Sequence, residues 1–231
     1  MGAQWKHKGR EANSKAKAKL ISKAAKEVMI AAKAGADPSS NARLRLAVDY
    51  AKSVNMTKDS IERVIKKGAG LLDEQVNYEL VTYEGFGPHR VPVIVECLTD
   101  NRTRTAANVR GIFRLGQIAA TGAVSWDFDR LGAIDARGPA GADAETAAIE
   151  AGAQDLEPGD EGVTHFYTAP TDLDAVRKAL ETAGWTVVSA NLVWRAKNPV
   201  TVAPEHMKDV EKFLEEMDED DDVQNLYVGM K

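Results

Sequence analysis

The stretch DPSSNARLRLAVDYAKSVNMTKDSIERVIKKGAG, residues 37–70, places apolar and charged residues at helical spacing twice in succession, with a break between, and makes the front of this chain helical. Asp37 before Pro38 resembles an N-cap followed by proline at the first helical position, so a second helix is expected to begin there. It would carry Leu44, Ala47, Val48 and Ala51 inward and Arg43, Arg45 and Lys52 outward. A third helix is expected after Thr57, running through Ile61, Val64 and Ile65 to Lys66, Lys67 and Gly68, where cations suit the negative helix end and glycine suits the C-cap. Upstream, Glu11 to Lys33 contains no Pro or Gly, is rich in alanine and precedes Gly35, which predicts one long helix. At about 100° per residue, Lys15, Lys19, Lys23, Lys26 and Lys33 share a narrow sector. Leu20, Ile21, Ala24, Val28, Ala31 and Ala32 lie nearly opposite, so one face packs and the other presents ammonium groups.

Charge is divided just as sharply. The first 70 residues hold 16 of the 30 Lys and Arg but six of the 35 Asp and Glu, an excess of ten positive charges. The rest holds 14 cations and 29 carboxylates, so the whole-chain charge of −5 conceals a basic front and an acidic remainder. A basic block of this density predicts contact with a polyanion, most simply nucleic acid. Few glutamates interleave with the lysine stripe, and Trp5, Lys6, Lys8 and Arg10 precede it in an arm expected to be flexible. Lysine outnumbers arginine twelve to four, which favours contact with the phosphate backbone over bidentate reading of bases.

Beyond residue 75 the pattern changes to strands alternating with helices. Strands are expected at 78–83, 91–98, 123–128, 165–169, 186–194 and 223–228, and helices at 102–115, 144–151, 172–182 and 204–217. Such units build α+β layers of the split βαβ, ferredoxin-like kind. The fold class is therefore α+β multidomain, an N-terminal three-helix domain followed by two α+β domains. The division reads as 1–75, then 76–133 plus 199–231, with 134–198 inserted. DARGPAGADAE at 135–145 has the composition of a linker.

Enzyme chemistry finds little support in the motifs. Histidines at 7, 89, 165 and 206 show no paired spacing, so no metal site is expected. GAG at 68–70 matches no nucleotide-phosphate loop, and Cys97 lies in an apolar strand as a small hydrophobe rather than a nucleophile. No catalytic residue or cofactor is expected. One cysteine, no secretory signal and no apolar run long enough for a bilayer suggest a cytoplasmic protein. A second anion contact is expected where TDNRTRT at 99–105 caps a helix with Asp100 or Asn101 and presents Arg102 and Arg104. Its bland counterpart is an ordinary capped helix with Arg104 paired to Glu84 or Glu96. EEMDEDDDV at 215–223 is expected to be a solvated acidic surface.

Three stretches, 37–70, YEGFGP at 83–88 and VIVECLTDNRTRTAANVRGIF at 93–113, resemble the YebC group, which includes the mitochondrial translational activator of cytochrome oxidase. Weaker likeness continues through AIEAGAQD and DDVQNLY, so the resemblance spans most of the chain. It implies three domains, one of them discontinuous, in a nucleic-acid-associated regulator. Some members are labelled transcriptional regulators that bind DNA. Others are understood as ribosome-associated translation factors that relieve stalling on proline-rich nascent chains, with ribosomal RNA as the partner. Departures at GAQWKHKGR and at Met56-Thr57, where the family carries other residues, imply a side branch. The expected contacts are Trp5, Lys6, Lys8, Arg10, Lys15, Lys19, Lys23, Lys26, Arg43, Arg45, Lys66, Lys67, Arg102 and Arg104. Two other classes of function remain at this stage, a metal-dependent nuclease and a protein-binding scaffold that docks through its acidic C-terminal face.

Overall fold

A computed structural model describes residues 10–72 and 78–231, with side chains of the first helix described from Lys17 onward. The chain divides into two compact units, Met1–Val76 and Asn77–Lys231.

The first unit contains α1 (Arg10–Ala32), α2 (Ala42–Ser53) and α3 (Lys58–Gly68). Alanine-rich spacing places Ala24, Val28, Ala31 and Ala32 of α1 in a buried seam with Leu44, Ala47, Val48 and Ala51 of α2, and Met56 and Ile61 join it. Leu20, expected to face inward, is exposed. Thr57 caps α3 by accepting from the Ser60 amide, as its position predicts. Gly68 does something the sequence did not suggest: a β-carbon there would collide with the Met29 carbonyl of α1, so glycine permits close helix approach. The start of α2 is a correction. Asp37 makes a local turn through Ser39, and Asn41 is the cap, its side chain accepting from the Leu44 amide at 3.0 Å. The Asn41 amide also donates to Ala31 O at 2.8 Å and Gly35 O at 2.9 Å, so one side chain closes the end of α1 and opens α2.

The second unit carries β1 (Glu79–Phe86), β2 (Pro92–Thr99), α4 (Arg102–Ile112), β3 (Gln117–Ala119), β4 (Phe128–Arg137), α5 (Ala144–Ala151) and β5 (Asp155–Pro158). It continues with β6 (Val163–Thr168), α6 (Leu173–Thr182), β7 (Thr186–Ala196), α7 (Met207–Glu219) and β8 (Val223–Val228). Two sheets result, ordered β3-β1-β2-β8 and β5-β6-β4-β7, with antiparallel neighbours throughout. In the second, β6 lies between β4 and β5, the split βαβ arrangement.

Two expectations shift here. The strand expected at 123–128 is a turn, and β4 begins at Phe128, so the expected linker at 135–145 starts inside a strand. The expected division at 133/134 also falls within β4, whose pairings all lie in the second sheet.

β2 is buried along its whole length because both of its faces are covered. Val91, Val93, Val95 and Cys97 pack with Val109 and Phe113 and with Val210, Phe213 and Met217 of α7. Ile94 packs in the opposite direction with Val124 and Phe128, against Trp194 and Tyr227. Glu96, next in that row, is 4% exposed, and its carboxylate accepts from Arg130 at 2.9 Å, Trp194 at 3.1 Å, Asn225 at 3.0 Å and Tyr227 at 3.2 Å. Four donors satisfy the buried charge and tie the two sheets together.

Gly68→Ala should therefore destabilise the helical unit by about 1–3 kcal/mol through overpacking. Gly111→Ala, at a position in α4 with open space around the missing β-carbon, should stabilise by up to about 1 kcal/mol. Chemical denaturation of the two variants checks this opposition of sign.

Candidate nucleic-acid interface

Trp5, Lys6 and Lys8 lie outside the described residues. Arg10 opens α1 and Lys15 follows on it. Lys19, Lys23 and Lys26 are half-buried, while Lys17 and Lys33 are exposed. Partial burial of a lysine covers its methylene stem and leaves the ammonium toward water. On α2, the Arg43 side chain is 61% exposed, with its guanidinium 4.0 Å from Glu27, and Arg45 is half-buried. On α3, Lys66 is exposed and Lys67 half-buried.

Lys58 and Arg63, exposed on the same helix, were missed by the sequence reading. The spacing of Arg63 to Lys66 and Lys67 in ERVIKK, three and four residues, was the signal available. Printed pairs in this unit, such as Lys52–Asp49 at 3.2 Å and Lys58–Glu62 at 3.9 Å, are exposed. Exposed pairs contribute about 0–1 kcal/mol, so a phosphate can replace such a partner at little cost. Six carboxylates cannot neutralise 16 cations, so the excess of ten persists even with every carboxylate paired.

The second expected contact is largely occupied from within. Asn101 caps α4, accepting from the Arg104 amide at 3.1 Å. Arg102 sits 3.5 Å from Glu79. Arg104 donates to Asp222 at 2.8 Å and 3.1 Å and to Asp100 at 3.0 Å, instead of pairing with Glu84 or Glu96. Asp222 is 5% exposed and also accepts from Thr105 at 2.8 Å. These contacts correct two expectations: Arg104 is an internal tie, and the acidic run 215–223 turns one of its carboxylates into the protein.

The glycine turn at 83–88 has a similar internal purpose. Glu84 is 4% exposed and accepts backbone N–H groups from Gly122, Val124 and Ser125, each at 2.8 Å. Burial alone would push its carboxyl up, but the three amides outweigh burial and hold it below the usual carboxylate range.

Among possible enzyme groups, Cys97 is fully buried. Ser189, Asp135 and His165 meet on the second sheet, yet Ser189 donates to Asp135 Oδ2 at 2.7 Å while His165 Nδ1 holds Oδ1 at 2.6 Å. The carboxylate stands between hydroxyl and imidazole, which is not the order needed to activate a serine. The scattered histidines give a third correction: His89 and His206 stack with ring centroids 3.9 Å apart, and His89 Nε2 lies 2.9 Å from Asp209. Among the described residues, no helix is long and apolar enough to cross a membrane.

A cationic helical unit followed by two antiparallel α+β sheets defines a multidomain protein whose distinctive surface chemistry is basic. The chain belongs to the TACO1/YebC family. The TACO1/YebC protein N-terminal domain matches residues 2–71, and the TACO1/YebC second and third domain matches residues 78–230. A relative from Polaromonas sp. is 56% identical over 100% of this chain and 99% of its own length. One from Pseudomonas syringae pv. tomato is 59% identical with the same coverage, and both are named "Probable transcriptional regulatory protein". A crystal structure of a conserved hypothetical protein from Aquifex aeolicus is similar with a TM-score of 0.87 at 38% identity, over 99% of this chain and 96% of that one.

Glu84→Gln should cost about 1–3 kcal/mol at neutral pH, since an amide cannot accept all three N–H groups as the carboxylate does. A depressed folded pKa stabilises fully above the unfolded value of about 4.3 and is lost as pH falls through the folded value. Denaturation of both proteins from neutral to acid pH should show their stability gap closing below about pH 4.

Proposed function

We propose that this chain is a non-enzymatic, cytoplasmic regulator of gene expression that binds nucleic acid through its N-terminal helical unit. The observation that carries this reading is the excess of ten positive charges on the first 70 residues, displayed by helices whose apolar seam faces inward. Lys15, Lys19, Lys23, Lys26, Arg43, Arg45, Lys66 and Lys67 contact phosphates, and Arg63 extends the surface. Lys6, Lys8 and Arg10 reach along the backbone, with Trp5 stacking on a base. Arg102, at the edge of the second unit, exchanges its exposed glutamate for a phosphate. The later segments, a discontinuous domain around an insert, orient the helical unit on its target.

The relatives' names support transcriptional control through DNA, while the family resemblance supports ribosomal RNA and relief of stalled translation. Both make the same demand for a basic surface on a phosphate backbone. The scaffold alternative loses support because Asp222 in the acidic run is committed to Arg104 and Thr105.

Replacing Lys15, Lys19, Lys23 and Lys26 together by Gln should leave the fold intact and flatten the plot of log affinity against log salt by about 0.9 per lost phosphate contact on duplex DNA. Fluorescence anisotropy with labelled duplex DNA and ribosomal RNA fragments checks it. Affinity and slope equal to the parent protein's on both would remove the proposed face. Sequencing the nucleic acid crosslinked to the protein in cells then separates promoter DNA from ribosomal RNA.

A further inference from the structure

The β1–β2 connection, Gly87-Pro88-His89-Arg90, runs through an unusual backbone. His89 has φ 56° and Arg90 φ 60°, so two successive residues with β-carbons occupy the left-handed region that favours glycine. A strained position that persists is a pointer to function when the side chain it carries has something to do. Here it carries an imidazole to the start of α7, 120 positions away in sequence from its partner Asp209.

Three donors converge there. His89 Nε2 lies 2.9 Å from Asp209 Oδ2, the His206 ring stacks on His89 with 16° between planes, and one ligand atom from each residue lies within 4.8 Å of the other two. His206 immediately precedes α7 and Asp209 is in its first turn, a three-residue separation that puts both on one side of the helix.

We propose that His89, His206 and Asp209 form a binding site for a divalent transition-metal ion, zinc(II) by preference, that straps the β1–β2 loop to the start of α7. Two imidazole nitrogens and one carboxylate oxygen make a donor set that suits zinc and leaves a fourth position for water. Bonds of about 2.0–2.1 Å in a tetrahedron place ligand atoms about 3.3 Å apart, so closing on the ion asks a shift of roughly 1 Å from these side chains. All three residues are exposed, and the broad imidazole torsion lets the His206 ring turn out of the stack until its nitrogen points at the ion. A hard ion such as magnesium, which prefers oxygen ligands and octahedral water, does not fit this set. A His–Asp ion pair by itself accounts for neither the second imidazole nor the left-handed backbone beneath the first.

The test uses the full chain, with zinc chloride and, separately, magnesium chloride added to the purified protein in the calorimeter. One zinc per chain is expected, with no saturable magnesium binding. His89→Gly and His206→Gln should each weaken zinc binding by at least about tenfold, because losing a metal ligand costs no less than losing one of its supporting partners. His7→Gln and His165→Gln should leave it unchanged. His89→Gly also separates a metal site from a purely structural pair. Glycine relieves the left-handed strain, so without zinc this variant should melt no lower than the parent, while zinc raises the parent's Tm and not the variant's. Absence of saturable zinc binding, or equal affinity in the parent, His89→Gly and His206→Gln, would overturn the proposal.

Discussion

Repulsion within the first 70 residues is the constraint around which this protein is built. Sixteen cations against six carboxylates oppose compaction, because like charges held in a small volume raise the free energy of the folded state. A seam of small side chains counters them. Ala24, Ala31 and Ala32 of α1 meet Ala47 and Ala51 of α2, and Gly68 lets α3 come up against Met29. Close helix approach buries apolar surface on the inside and leaves the charged heads outside, so the unit stays folded while remaining cationic. Polyanion binding would then remove the main force working against the fold, which links occupancy of the surface to the stability of the helices beneath it.

Beyond residue 70 the excess is of the opposite sign, 29 carboxylates against 14 cations, and three of those carboxylates are drawn inside. Glu84 gathers the amides of the 122–125 turn, Glu96 joins the two sheets through four donors, and Asp222 fastens β8's approach to α4 through Arg104 and Thr105. Each is buried and hydrogen-bonded several times over, which is the condition under which a buried charge holds a structure together instead of weakening it. Acidic residues thus serve largely as internal ties in the second unit, while basic residues in the first serve as surface.

What the sequence made legible was what local chemistry decides. Thr57 caps α3 because its side chain needs only the amide three residues on, and the apolar run in β2 is a strand because both faces are covered. Non-local partners defeated the rest. Asp37-Pro38 is the better local cap, but Asn41 also reaches Ala31 O and Gly35 O, and that triple use moves the helix start. Residues 123–127 look extended until the Glu84 carboxylate, some 40 positions earlier, claims their amides. Arg104 looked available because its partner, Asp222, is 118 positions away, and His89, His206 and Asp209 were invisible for the same reason.

Hydrogen exchange of the backbone amides, measured on the full chain with and without bound nucleic acid, addresses the central claim most directly, since it reports the stability of each element separately. Relief of repulsion predicts that protection rises across α1, α2 and α3 and changes much less in the two sheets. Protection that rises only within residues 79–231, with the helices unchanged, would contradict the account.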